Sequence, residues 1–479
     1  MRIHPVDLAI VVVYLLGVTA LGMHFRRRSQ DARDYFLGGR TAPWWALAFS
    51  IVATETSTLT IIGTPAISYG GNLTFLQLVF GYLIGRVLIV LLLLPGYFRG
   101  ELFTAYALIE KRFGEKMRAV AATTFLITRA AAEGVRVSAI ALVVSVVLGT
   151  SERLAVLIVI ALTILYTLEG GMKAVIWTDV AQLLLYLTGS AVTLGFLWHR
   201  IPGGWNEVAL VAGAAGHKLQ VLDFSWSWAT KYTFWSGLIG GAFLTMASHG
   251  TDQTIVQRLL AARSERDGRR ALLTSGVIVL VQFTVFLLIG VLLFVFAQHA
   301  PLLAAGERAD RVLPLFLARE VPPGLAGLLL ASIIAVAMSN ASGSLNSLAA
   351  SSVLDFSRLW GKSTDAAGLL RISRRATLVW GLVLMAFGLV RWGPLLEAGL
   401  TVVSLPFGSL LGLFLLGTLD RGANARGALA GMFAGVAAIL CLFRFTSVAF
   451  TWFFMIGSVV TFVVGAGVSR GLGQEVAAR

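Results

Sequence analysis

Residues 50–63 read SIVATETSTLTIIG, and the middle of the run, Thr54-Glu55-Thr56-Ser57-Thr58, is entirely polar. Both flanks are apolar enough to bury a helix in a lipid bilayer. An ionised side chain at the centre of a span costs on the order of 2.5–3.5 kcal/mol on insertion scales. The stretch therefore reads as a place where the helix stops. Unwound backbone deep in a membrane is tolerated where it lines a cavity or is covered by protein.

Outward from this stretch the chain is 57% hydrophobic and 13% charged over 479 residues, where soluble chains are roughly a quarter charged. Apolar blocks alternate with short links that are basic or contain Gly and Pro. This predicts an all-α polytopic membrane protein with about 13 transmembrane helices. The first block, 5–24, has no basic stretch before it beyond Arg2 and no small-residue cleavage site, so it is expected to be a retained helix and not a signal. The net charge is +14, and with the N-terminus outside, the inner links carry 25 of the 38 Lys and Arg residues. That bias predicts a multi-pass plasma-membrane protein with an outside N-terminus and a cytoplasmic C-terminus. The basic runs are then topology signals, and no nucleic-acid partner is expected. The single cysteine, Cys441, excludes an intramolecular disulfide and a cysteine metal cluster. With no phosphate loop and no nucleophile elbow, an enzyme is not expected.

Polar residues inside the spans gather at three further places: LTMASHGTDQTIVQR (244–258), VAMSNASGSLNSLAASS (336–352) and Asp179 in GGMKAVIWTDVAQ (170–182). The stretches at 50–63 and 244–258 each open a block of five spans, 43–198 and 232–418. An odd number of spans forces the second block to insert upside down. This predicts inverted five-helix repeats with broken first and sixth core helices. Around them lie an additional N-terminal helix and cytoplasmic loop (1–42), an extracellular loop (199–231) and two additional C-terminal helices (419–479). In 336–352, Ser339, Ser342 and Asn346 share one helical face, and Asn340, Ser344 and Ser347 an adjoining one. These hydroxyls either join free carbonyls around a hard monovalent cation or simply let helices pack closely.

Five motifs carry a resemblance to a known family: FLGGRTAPWWALAFSIVATETSTLTIIGTPAISYG, GGMKAVIWTDVAQ, YTFWSGLIGG, GTDQTIVQRLLAARS and SNASGSLNSLAASSVLD, in this order over residues 36 to 355. The chain resembles the sodium:solute symporters, which include carriers of sugars, proline, sialic acid, iodide, monocarboxylates and vitamins. The resemblance implies a sodium site made by the backbone carbonyls of Ala53, Thr56 and Val336 and the side chain of Ser339. Family members often have a second hydroxyl where this chain has Asn340, whose amide oxygen would have to serve. A second sodium, held in some members by a carboxylate and two hydroxyls, corresponds here to Asp179 and Ser342, with Gly343 in place of the other hydroxyl. Substrate contacts implied by position are Glu55, Ser57, Thr60, Thr245, Ser248 and His249.

Several charges lack an evident role. Glu55 either attracts or helps coordinate sodium, is protonated and carries a coupling proton or a structural one, or pairs with a buried arginine. Arg129, Glu133 and Arg136 fall on one face of a helix and read either as an internal charge network or as attraction for an anionic substrate. Arg86 is buried in its span, and its role is open. Tryptophans near span ends read as interfacial anchors. The expected function is sodium-coupled symport of a small organic solute (an amino acid, monocarboxylate or vitamin-like molecule) by alternating access, with Na+ as coupling ion, no organic cofactor, and a monomer sufficient. The alternatives are a proton-coupled carrier on the same fold and, with a tail of only about ten residues after the last span, a membrane sensor acting through a separate partner.

Overall fold

The structure is a computed structural model that describes residues 4–24, 32–100, 102–148, 150–304, 306–356, 366–390 and 395–477. The described chain is all helical. An isolated parallel bridge between Ala42 and Ala262 is the only β pairing among these residues. Five helices are long and apolar enough to cross a membrane, and a sixth span arises if the bent pair Trp44–Glu55 and Thr58–Gly70 is taken as one. Several other expected spans are interrupted or charged. Glu115–Leu148 carries Arg129, Glu133 and Arg136, and the segment expected at 232–255 is divided into a π-helix, Ser236–Gly240, and the helix Gly241–Gly250. The link expected at 170–173 is helical, within the element Glu152–Arg200 of 49 residues, of which Met172–Arg200 is long and apolar enough to cross a membrane.

The helix Leu325–Leu354 is the centre of the molecule. Of its 30 residues only Leu325, Leu328, Ser352 and Leu354 escape full burial. It packs against Glu152–Arg200, Glu115–Leu148, Ala366–Gly388 and Pro5–His24. It is buried on every face although it carries Asn340, Asn346 and several serines, and its serines and alanines keep the neighbours close. Leu76–Leu92 and Gly241–Gly250 approach closely. There Gly81 lies against the backbone of Gly237, Leu238 and Gly241, and Gly85 against Ala242 and Thr245, the small-residue packing that lets membrane helices touch backbone to backbone.

The bend at 56–57 is 65°, and its local chemistry accounts for the hydroxyls. Thr54 and Thr56 donate to the carbonyls of Ser50 and Val52, both at 2.8 Å, the back-bonding that weakens a helix. Thr56 and Ser57 are then extended. Ser57 Oγ accepts from the Thr60 amide and Thr60 Oγ1 accepts from the Ser57 amide, both at 3.2 Å. This is a capping box with threonine in the place of the usual Glu or Gln, and it starts the second half-helix. The break at 251–252 is built the same way. Thr251 donates to Ala247 O at 2.7 Å, and Asp252 caps Gln253–Leu260 by accepting from the Thr254 amide at 2.7 Å.

Candidate functional site

A helix that ends leaves its last carbonyls without partners. At the second break tyrosines supply them: Tyr97 donates to Gly250 O and Tyr106 to Thr251 O. At the first break the donor is Asn340. Its Nδ2 donates to Thr56 O, to Val336 O at 3.2 Å and, at the limit of bonding, to Ala53 O at 3.5 Å. These are the three carbonyls expected to bind sodium, and they do converge on one buried point. The donor set suits a hard cation: main-chain oxygens at an unwound segment. The point they face, however, holds the amide nitrogen of Asn340. Its oxygen, expected as a ligand, faces the other way and accepts from Arg136 Nη1 at 3.1 Å. A flipped amide would set oxygen against three carbonyls and NH2 against a guanidinium, so the network fixes the orientation.

Ser339 is turned away from these carbonyls and donates to Asp179 Oδ1 at 2.6 Å. The other oxygen of Asp179 accepts from Ser50 at 2.5 Å and pairs with Arg258 at 2.8 Å. Arg258, counted from the sequence among the inner-loop cations, is fully buried, and Arg118 from the same count pairs with Asp355 at 2.8 Å. Ser342 donates to Ser339 O at 3.0 Å and does not reach Asp179. A Cβ at Gly343 would stand 2.8 Å from Arg258 Nη2. The place of the absent second hydroxyl is thus beside the guanidinium, which neutralises the carboxylate.

Beside the first break lies a cavity of about 180 Å³ lined, among others, by Glu55, Ser57, Thr60, Arg129, Arg136 and His249. Ser248 and Asp252 also border it, whereas Thr245 is buried against Gly85 and is not part of the lining. Of the three readings of Glu55, the geometry is that of the third: its carboxylate is paired with Arg86, and His249 Nε2 lies 3.2 Å away. Arg86 is also held by Ser275 Oγ at 3.2 Å and by Tyr82 O at 3.3 Å. The Arg129–Glu133–Arg136 face is a network, and it extends off its own helix. Glu133 Oε2 lies 3.7 Å from Arg129 and 3.3 Å from Arg136, Arg129 reaches Asp252 at 3.2 Å, and Ser344 donates to Glu133 at 2.9 Å. Asp252 and Arg258 were missed from the sequence. The signal for Asp252 was its position as a helix cap in GTDQT; Arg258 was hidden within a basic run.

Comparisons with known proteins agree with this architecture. A sialic acid symporter, SiaT of Proteus mirabilis, is 29% identical over 97% of this chain and 95% of its own length. The sialic acid symporter NanT of Aliivibrio fischeri is 30% identical over 94% of this chain and 90% of its own. The human sodium/iodide cotransporter is 31% identical over 90% and 68%. A solved structure of a Na+-coupled sialic acid symporter in a substrate-bound, outward-open state superposes with a TM-score of 0.90, at 28% identity over 98% of each chain. A nucleobase-cation-symport-1 transporter shares the fold with a TM-score of 0.57 at 15% identity. The profile of the sodium:solute symporter family matches residues 35–435, and the chain belongs to that family.

Proposed function

We propose that this protein couples sodium to the uptake of a small organic anion across the plasma membrane by alternating access. About thirteen spans, two inverted five-helix repeats (43–198 and 232–418), an outside N-terminus and a cytoplasmic C-terminus complete the reading. The observation that carries it is the convergence of the Ala53, Thr56 and Val336 carbonyls next to a cavity bordered by Arg129 and Arg136. The named solutes of similar transporters, sialic acid, iodide and monocarboxylates, are anions. A volume of about 180 Å³ falls below the ~300 Å³ at which pockets for drug-sized ligands begin, which favours a short carboxylate over a sugar acid. Glu55, on which a proton-coupled cycle would rest, is engaged by Arg86 and His249, and this supports sodium as the coupling ion.

The cycle begins with sodium and the anion entering from outside while the cavity is open. Closure over the pair and rocking of the helices around the breaks then expose both to the cytoplasm. A thermal-shift panel of acetate, lactate, N-acetylneuraminate and iodide, each with sodium or with choline as the cation, tests the reading. The expected result is stabilisation by a short carboxylate that grows with sodium. Stabilisation by carboxylates that is the same in sodium and choline overturns the coupling.

A further inference from the structure

Asn340 stands where the cation belongs. The Ala53 and Thr56 carbonyls, at the end of their half-helix, would without a donor carry the penalty of unpaired buried groups, and the Asn340 NH2, which also meets Val336 O, supplies that donor with no ion present. The side chain is 1% exposed. What holds the nitrogen inward is Arg136 Nη1, shared between Asn340 Oδ1 at 3.1 Å and Glu133 Oε2 at 3.3 Å. Arg136 borders the cavity, and its Nε and Nη2 make no hydrogen bond among the described residues. This free edge is a fork for a carboxylate.

We infer that the Asn340 amide is a built-in occupant of the sodium cage, clamped by Arg136, and that a carboxylate drawn to Arg136 from the cavity releases it. The inference rests on the sodium-coupled reading above and adds the device that links the two ligands. As the anion draws the Arg136 guanidinium toward the cavity, Nη1 leaves Asn340 Oδ1, Asn340 turns its oxygen toward the carbonyls, and the cage becomes all oxygen. Charge balance points the same way. The acids around the cavity, Glu55, Glu133 and Asp252, are matched by Arg86, Arg129 and Arg136. Sodium alone or the anion alone would leave a net charge in a low-dielectric site, whereas the pair leaves none. If the inward amide is favoured ten to one, sodium binds about tenfold more weakly until the clamp is released.

Sodium titration of the purified full-length protein, with choline chloride holding ionic strength, reads this directly. Asn340→Ser removes the occupant, and Arg136→Gln removes the clamp while keeping the occupant. Both are expected to bind sodium about tenfold more tightly than the wild type in the absence of any carboxylate, and the wild type to gain that factor on addition of acetate or lactate. A merely structural Asn340 would give no such gain. Sodium affinity equal in all three proteins, with uptake still driven by sodium, overturns the inference and leaves the coupling intact. Tighter sodium binding by both variants with sodium-independent uptake in the wild type supports the built-in occupant and overturns the coupling instead.

Discussion

Asp179 and Arg258 form a 2.8 Å ion pair in which neither side chain has any exposure, tied together by Ser50, which donates to the carboxylate and accepts from the guanidinium. The cation that such a carboxylate would otherwise attract is supplied by the chain. On the proposed reading, coupling is expected to involve one sodium, and with a monovalent anion no net charge would cross the membrane. Uptake into proteoliposomes is expected to be unchanged when a potassium diffusion potential is imposed, with a sodium Hill coefficient of about 1. A second sodium would instead give a driving force of roughly 2.3 kcal/mol per 100 mV, visible as voltage-dependent accumulation.

The same pair sets a stability prediction. Asp179→Asn or Arg258→Met alone leaves an uncompensated buried partner and costs about 3–5 kcal/mol. The double variant restores much of this loss, because both charges leave together. Unfolding of the four proteins in detergent forms the cycle that measures it.

Glu55 makes a similar statement at the first break. Glu55→Gln leaves Arg86, itself 1% exposed, without its carboxylate and lowers stability by about 3–5 kcal/mol. Because Glu55 acts as a counter-charge, the pH dependence of uptake is expected to keep its shape in the variant. A profile whose inflection disappears in Glu55→Gln would assign it the coupling proton.

Lys218, in the loop at 199–231, donates to Ser68 O at 3.1 Å and to Tyr69 O, and lies 4.1 Å from the Phe294 ring centroid. It caps the carbonyl end of Thr58–Gly70, where a cation is favoured. Burial pushes its ammonium down from 10.5 to about 8. Between these values the unfolded chain holds the proton and the folded one does not, so stability rises with pH through this window. The thermal-midpoint difference between wild type and Lys218→Met is expected to shift in favour of the wild type from below pH 8 to about pH 10. A difference that stays flat would refute it.

Gly290 meets the carbonyl of Pro65 and the hydroxyl of Ser68, which donates to Leu287 O at 2.7 Å. A methyl group there pushes the Thr58–Gly70 half-helix off Glu265–His299. Gly290→Ala is expected to cost about 1–3 kcal/mol and to reduce the maximal rate of uptake, read from thermal midpoints and initial rates.

Much of the fold was legible because its signals are local. The polar run at 54–58 marks a break since hydroxyls can bond the preceding turn and cap the next, and the same holds for Thr251 and Asp252. The carbonyls of Ala53, Thr56 and Val336 were singled out only by the resemblance to the sodium:solute symporters, since Val336 lies inside the continuous helix Leu325–Leu354 and at neither break. The continuity of Glu152–Arg200 was not legible, since a polar Gly-containing link looks alike whether helical or looped.

The sequence by itself determined that the chain is apolar, helical and broken at two polar stretches, and it determined the family. The tertiary structure decided who partners whom. Glu55 meets Arg86 at a separation of 31 residues, Arg258 meets Asp179 at 79, and Asn340 reaches Thr56 O at 284. Helical spacing fixes which residues share a face, but the partner across a helix crossing depends on how closely small residues let the backbones approach. That crossing, and not the polar run alone, puts an amide nitrogen among the Ala53, Thr56 and Val336 carbonyls.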